Sequence, residues 1–406
     1  MLRHWSNFRV LAVIIVSFMC LNLTVYMSEA QIPSVMPVGW SYDGSQIAIV
    51  IGQTVELRNT DTRQLLHTLR GHSDIVYTTA WSPNRMLIAT GSFDATVKVW
   101  DAINGELRTT LMATLPVFAI VWPPDGTQII GFSSDGDSEF LLSIWDIDEE
   151  SLIESYHGGA VIDAVFTDDS QSLAVITPLS VHIFETDAFS VRASSPRTAC
   201  CTNRFSSVVW SPDEQKIATA SVNGLVTVWD IDDSSLTQAR QFIANPFSQP
   251  DSREVPDLSL SWVRDLFWGA EPDTIQAVSG DGTVRMWNVV TGEMLQEEQI
   301  GRLDTTAWSP YGARLAVVSS NPLSSTVVGP DGALSVVTPF ATLERLQSIA
   351  ALCDAPLTVT DAIPQVEQTA ALTDFVAQVT ALPEGTIPPA CAADLIAVAE
   401  AISAGQ

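Results

Sequence analysis

The side chains that could carry chemistry in this chain are few and scattered. Five histidines occur, His4, His67, His72, His157 and His182, and none stands beside a nucleophile signal. There is no Gly-x-Ser-x-Gly elbow, no His-Glu-x-x-His helix and no phosphate-cradling glycine loop. The run Ser133-Ser134-Asp135-Gly136-Asp137-Ser138-Glu139 alternates carboxylates with small residues, as a hard cation such as calcium would want. It lacks the ligand spacing of a dedicated calcium loop and falls where a hairpin turn is due. The cysteines form neither a Cys-x-x-Cys pair nor a Cys/His set at zinc spacing. The expectation is therefore a protein that is not an enzyme and needs no metal or cofactor.

Beyond Cys20 the chain has Cys200, Cys201, Cys353 and Cys391, an even number that suits disulfides in an oxidising compartment. Cys353 and Cys391 flank the C-terminal segment. A bond between them closes a loop of 38 residues, which is worth about 3–4 kcal/mol. For the adjacent Cys200 and Cys201, a vicinal bridge, a bond to another chain and two free thiols all stay open.

The charge is lopsided, with 47 Asp+Glu against 19 Lys+Arg and a formal net charge of −28. A field of that sign repels phosphate backbones and anionic lipid heads, so no nucleic acid partner is expected. The acidity reads as solubility for an exported protein; a divalent cation or a basic protein is the sharper alternative. Residues 1–30 look like a targeting segment. Arg3 and Arg9 lead into an apolar run, and Ser28-Glu29-Ala30 resembles a small-x-small cleavage site. The run continues through Leu23, Val25, Tyr26 and Met27, about 18 residues in all, which is borderline for a membrane span. A cleaved signal peptide and a retained N-terminal anchor both remain open. Either places the bulk of the chain outside the cytoplasm.

These groups must be held by a frame, and the frame is a repeat. A tryptophan followed by a turn signal recurs as Trp40-Ser41-Tyr42-Asp43-Gly44, Trp81-Ser82-Pro83, Trp122-Pro123-Pro124-Asp125-Gly126, Phe166-Thr167-Asp168, Trp210-Ser211-Pro212-Asp213, Trp268-Gly269-Ala270 and Trp308-Ser309-Pro310. The intervals are 41, 41, 44, 44, 58 and 40 residues. A period near 40 with several short strands per copy is the pattern of a propeller blade, and seven copies predict one closed ring over residues 31–340. Residues 71–111 show the unit. Gly71-His72 opens it, Ile75 to Trp81 alternates like a half-buried strand, and Ser82-Pro83-Asn84 turns the chain. Gly91-Ser92-Phe93-Asp94 turns it again, Thr96 to Asp101 is a third strand, and Asn104-Gly105 marks a hairpin into the fourth.

The Gly-His opening, the Trp-Ser-Pro turn, the Gly-Ser-x-Asp turn and the strand ending in Trp-Asp resemble the WD40 repeat. The resemblance implies an all-β, seven-bladed propeller whose blades are pinned by a buried hydrogen-bonded tetrad, at His72, Thr90, Asp94 and Trp100 in this copy. The third-strand tryptophan recurs as Trp145, Trp229 and Trp287, while Arg58 and Phe184 replace it in the first and fourth copies. It also implies a scaffold that binds a protein partner through loops on one face.

The longest insertion, about residues 242–262, carries three prolines, and Phe247, Arg253 and Trp262 are its candidate partner-binding anchors. For the outer strand of the seventh blade, residues 333–338 and a bridge from residues 31–36 are both open. After residue 340 the period changes. Residues 341–353, 364–382 and 392–402 read as helices of a small C-terminal module (341–406), either a partner-binding module or a cap over the seam of the ring. The resulting expectation is an exported, monomeric, non-catalytic interaction scaffold, touching membrane only through an N-terminal anchor. The rivals are a periplasmic ligand-binding or hydrolytic propeller working through its central channel and a sensor ectodomain. Acidic channel residues with strongly shifted pKa values would favour the channel reading.

Overall fold

Each repeat tryptophan ends the innermost strand of an antiparallel sheet. Seven such sheets form, six of four strands and one of three among the described residues. The computed structural model describes residues 35–404 apart from 84–86, 135–139, 158–160, 168, 178–179, 187–189, 197–204, 245–261, 269–272, 302, 304, 311, 320–332, 340, 354, 361–362, 364–368 and 384–385.

Blade one runs outward as β1 (Val35–Trp40), β2 (Gln46–Ile51), β3 (Thr54–Asn59) and β4 (Leu65–Arg70). Burial falls along that order, since inner sheets face protein on both sides and the outer strand faces water. β2 is almost wholly buried, whereas β4 is mostly exposed. The inner turn has its own chemistry. Ser41 donates its hydroxyl to the Asp43 carboxylate (2.6 Å) and accepts the Gln46 N–H (2.9 Å). The same carboxylate accepts the Ser45 N–H at 3.1 Å, and Gly44 supplies the left-handed backbone at φ +68°. Thr167 with Asp169 (2.7 Å) and Ser211 with Asp213 (2.6 Å) repeat the arrangement in blades four and five.

Neighbouring blades are joined through the same tryptophans. The Trp81 indole N–H donates to the Gly39 carbonyl (3.1 Å), and Trp210 donates to Val165 (3.0 Å). In both cases the acceptor immediately precedes the repeat aromatic of the preceding blade. Trp40 makes the same bond to Ala307 of blade seven at 2.8 Å, across 267 residues of sequence, and so closes the ring. Trp40, Ile47 and Ile49 share a core with Ala316 and Val318 at this seam.

Blade seven corrects one expectation. Ala333–Val337 is its third strand rather than its outer one, paired with Leu315–Ser319; of the alternative bridge, residues 35–36 belong to β1 and residues 31–34 lie outside the described residues. The reason is that the segment is apolar toward both neighbours. Leu334 and Val336 pack on the blade-one side, and Val337 packs toward Trp308 and Leu303.

The C-terminal module contains α1 (Leu343–Leu352), α2 (Leu357–Thr360), α3 (Thr369–Thr380) and α4 (Pro389–Ala404). The expected helical segments are all present within a few residues. Leu346, Ile349, Phe375, Leu395 and Val398 form its core, which also takes in Ala313 of the disc. Cys353 and Cys391 are bonded. The module docks on the face made by the inner turns (the turn face) through two arginines. Arg314 of the disc pairs with Asp394 of α4 at 2.6 Å, and Arg345 of α1 donates to the Gly312 carbonyl at 2.5 Å. Burial raises the Asp394 carboxyl above its ordinary value even though the Arg314 guanidinium opposes it. The contacts run from blade seven to blade one, where Ala390 sits against Gly44, so the module lies across the seam.

Trp40→Phe should cost about 1 kcal/mol, the net worth of its hydrogen bond. Trp122→Phe is the control, because the Trp122 N–H has no partner among the described residues, and should cost less. Denaturant unfolding of the two variants checks the difference.

Candidate functional site

The four tetrad residues come together from two strands and two loops of blade two. His72 lies in the entry loop, Thr90 in β6 (Leu87–Ser92), Asp94 in the following turn and Trp100 in β7 (Thr96–Asp101). The Trp100 N–H donates to the Thr90 hydroxyl (2.9 Å), and that hydroxyl lies 2.7 Å from His72 Nε2. His72 Nδ1 lies 2.9 Å from Asp94. Desolvation holds the imidazole below its ordinary pKa against the pull of Asp94. A neutral ring fits one assignment of the network: Nδ1–H donates to Asp94 and Nε2 accepts the Thr90 O–H. Burial would raise the Asp94 carboxyl, but bonds from the Thr96 hydroxyl, the Ser73 N–H and His72 together hold it low.

A hydroxyl, an imidazole and a carboxylate in this order would activate a nucleophile in an open cleft. Here Thr90 is 0 % exposed and its oxygen already accepts from the indole, so no substrate atom can approach. The arrangement is a structural pin.

The other blades show what the pin requires. Trp229 donates to Thr219 (2.9 Å), the residue matching Thr90. Opposite Trp145 the matching residue is Gly131, where an added Cβ would collide with the indole ring, and the Trp145 N–H has no partner among the described residues. For Trp287 it is Ala277, and the ring stacks on Phe242 instead at 5.4 Å. All three tryptophans are buried.

The entry loops and the turns after each second strand gather on the opposite face from the module, here called the linker face. Tyr77, Phe93 and Phe118 cluster there at the edges of blades two and three, with ring centroids 6.1, 4.9 and 6.4 Å apart. Phe93 is 46 % exposed. Burial and the nearby Asp74 push the Tyr77 phenol up. None of the three was singled out in sequence. Phe93 at a turn position normally polar was the available signal. Of the predicted anchors, Trp262 is half-buried on the linker face of blade six, with the Arg264 guanidinium over its ring at 5.4 Å. Phe247 and Arg253 lie outside the described residues, as do Cys200, Cys201 and residues 135–139 of the acidic run.

Two carboxylates belong to innermost strands and were also missed. Asp163 begins the inner strand of blade four and accepts the N–H groups of Ala164 (2.9 Å) and, from blade five, Val208 (3.1 Å). Asp265, in the inner strand of blade six, accepts the Leu266 N–H at 2.9 Å. Both keep some accessible surface yet are walled in by protein, as residues bordering a narrow channel would be. Burial raises Asp163 to about 6. It raises Asp265 to about 8, with the Asp163 charge adding to the shift.

A polar depression of about 340 Å³ also opens on the turn face between blades four and five. Asp169 in its wall is committed to the Thr167 hydroxyl and the Gln171 N–H. Among the described residues no group of three His, Cys, Asp or Glu side chains could hold a metal ion.

Trp100→Ala should cost about 3–5 kcal/mol through the cavity and the unpaired Thr90–His72 pair, read by chemical denaturation. The channel acids predict a pH effect. A carboxyl held above its unfolded value favours folding fully below 3.8, and that contribution is lost as pH rises through about 6 and then about 8. Asp265→Asn should therefore raise the melting temperature more at about pH 9 than at about pH 5.

The family model described as "WD domain, G-beta repeat" matches residues 63–101 and 197–230. These stretches end one residue after Trp100 and Trp229, the two third-strand tryptophans that bond to a threonine. The WD repeat-containing protein WDS homolog of Arabidopsis thaliana is 24% identical over 276 residues, 66% of this chain and 49% of that protein. Actin-interacting protein 1 of Drosophila melanogaster is 22% identical over 287 residues, 69% and 44% respectively. The chain thus spans less than half the length of these curated relatives. A WD repeat-containing protein of Synechocystis is 31% identical, over 26% of this chain and 31% of that one. Among solved structures, the Myceliophteria thermophila Cps50 (Swd1) β-propeller domain superposes with a TM-score of 0.56 at 15% identity, covering 70% of this chain and 93% of that one. In its closed ring of seven blades and its two matched repeats, the chain is a seven-bladed β-propeller of WD40-like repeats.

Proposed function

We propose that this protein is an exported scaffold that binds a protein partner on its linker face, anchored by Tyr77, Phe93 and Phe118. The observation that carries this reading is the aromatic cluster with Phe93 left open to solvent, since rigid aromatic rings in a partly desolvated patch are what binding hot spots are made of. The placement of the C-terminal module supports it, because its contacts with the disc among the described residues are on the turn face. The name of the fly relative, Actin-interacting protein 1, gives the same kind of role to a protein of similar repeats. Export is supported by the leader-like residues 1–30 and by the Cys353–Cys391 bond. The tail is assigned to the disc rather than to the partner, and the protein acts as a monomer without nucleic acid.

A second reading has one specific observation behind it, the pair of channel-bordering carboxylates Asp163 and Asp265 with raised pKa values. It makes the channel a site for a small cationic ligand, or for acid–base chemistry between two carboxyls poised on either side of neutrality.

Affinity capture from the exported fraction with wild type and with Tyr77→Ser/Phe93→Ser should lose the partner in the variant while the melting temperature stays within about 2 °C. Capture by both proteins, with loss only in Asp163→Asn/Asp265→Asn, would transfer the role to the channel. Mass spectrometry of the exported protein should find Gln31 at the mature N-terminus; an intact Met1 would replace the cleaved leader with an anchor.

A further inference from the structure

The inner turn is built alike in several blades, and blade seven departs from it at one position. Three residues after the repeat aromatic the sequence has Asp43, Asp125, Asp169 and Asp213 in blades one, three, four and five, but Tyr311 in blade seven. In blade one that carboxylate takes the Ser41 hydroxyl and the Ser45 N–H, while the Gln46 N–H returns to Ser41. Blade seven keeps every other part. The Arg314 N–H donates to the Ser309 hydroxyl oxygen at 3.0 Å, and Gly312 holds φ +69°, beside +68° for Gly44.

The carboxylate that completes the turn comes from the tail. Asp394 accepts the Ser309 hydroxyl at 2.6 Å and the Ala313 N–H at 3.4 Å. Those donors occupy the same two positions as Ser41 and Ser45. Its other oxygen takes the Arg314 Nε–H at 2.6 Å. Arg314 is in turn positioned by disc residues, with its guanidinium 4.8 Å over the Trp40 ring and Nη1 3.4 Å from Asp61. Receptor and ligand thus belong to different parts of the chain. Asp394 is 0 % exposed.

We propose that the inner turn of blade seven is a carboxylate-binding site left vacant by its own sequence, and that the tail docks on the disc because Asp394 fills it. The ligand class is a carboxylate presented from a helix with a small residue one turn earlier. Ala390 meets this need: its methyl lies against Gly44, where an added Cβ would come within 3.1 Å. The site does not depend on the linker-face reading.

The test uses the full-length oxidised protein and two readouts, melting temperature and the rate at which a protease severs the tail after residue 337. Asp394→Asn should lower the melting temperature by about 5–10 °C, because it leaves buried Arg314 with only the exposed Asp61 as a charge partner. It should also speed tail release at least about tenfold. Tyr311→Asp in that background restores the missing carboxylate in cis. It should recover most of the lost melting temperature while the tail stays cleavable. Should Asp394→Asn not fold, Tyr311→Asp alone decides, since two carboxylates then compete for Ser309 and Ala313 and the tail should be released faster than in wild type. Formate should raise the melting temperature of Asp394→Ala more than chloride at equal ionic strength. An Asp394→Asn protein with wild-type stability and an uncut tail would overturn the proposal, as would a Tyr311→Asp substitution that neither rescues nor releases.

Discussion

The closure of this disc rests on an indole N–H reaching a backbone carbonyl in the blade before it. The bond is available where the inner strand ends in a tryptophan whose ring packs between two sheets and whose polar edge finds an acceptor. The carbonyl ahead of the preceding repeat aromatic is the acceptor in the three pairs where the bond forms. Much of the remaining packing between blades is aliphatic, which would tolerate sliding. Where it forms, the stitch fixes the rotation of one wedge on its neighbour, and at Trp40 it converts a row of wedges into a circle.

Much of this was legible in sequence because the repeat is local. Trp-Ser-Pro turns, Gly-Ser-x-Asp turns and the 19-residue interval from Trp81 to Trp100 fix the strands of a blade without knowledge of any other blade. The Cys353–Cys391 bond and the helices could be read for the same reason. What sequence concealed was relational. Ala333–Val337 looks like any short strand, and its place as third rather than fourth depends on cores supplied by blades one and six. Asp163 and Asp265 are two acidic residues among 47 until seven inner strands bring them to the channel. The partnership of Ser309 with Asp394 spans 85 residues and two kinds of structure.

The two faces of the disc are chemically distinct. The turn face is a lattice of hydroxyl–carboxylate locks, and in blade seven the last of those locks is shared with a helical module. The linker face carries the tetrad's entry loop and the aromatic cluster of blades two and three. Acidic charge is spread over the whole chain, whereas the Tyr77–Phe93–Phe118 cluster is local to the linker face, so hydrophobic anchoring and long-range electrostatics would act on a partner independently.

The position of Trp40 carries one more implication. The residue that joins both ends of the circle stands in the first described strand, close behind the leader-like segment. Loss of that strand would unseat the joint and turn a closed disc into an open arc with two raw flanks. The whole assembly therefore hangs on a segment of six residues at the start of the first blade.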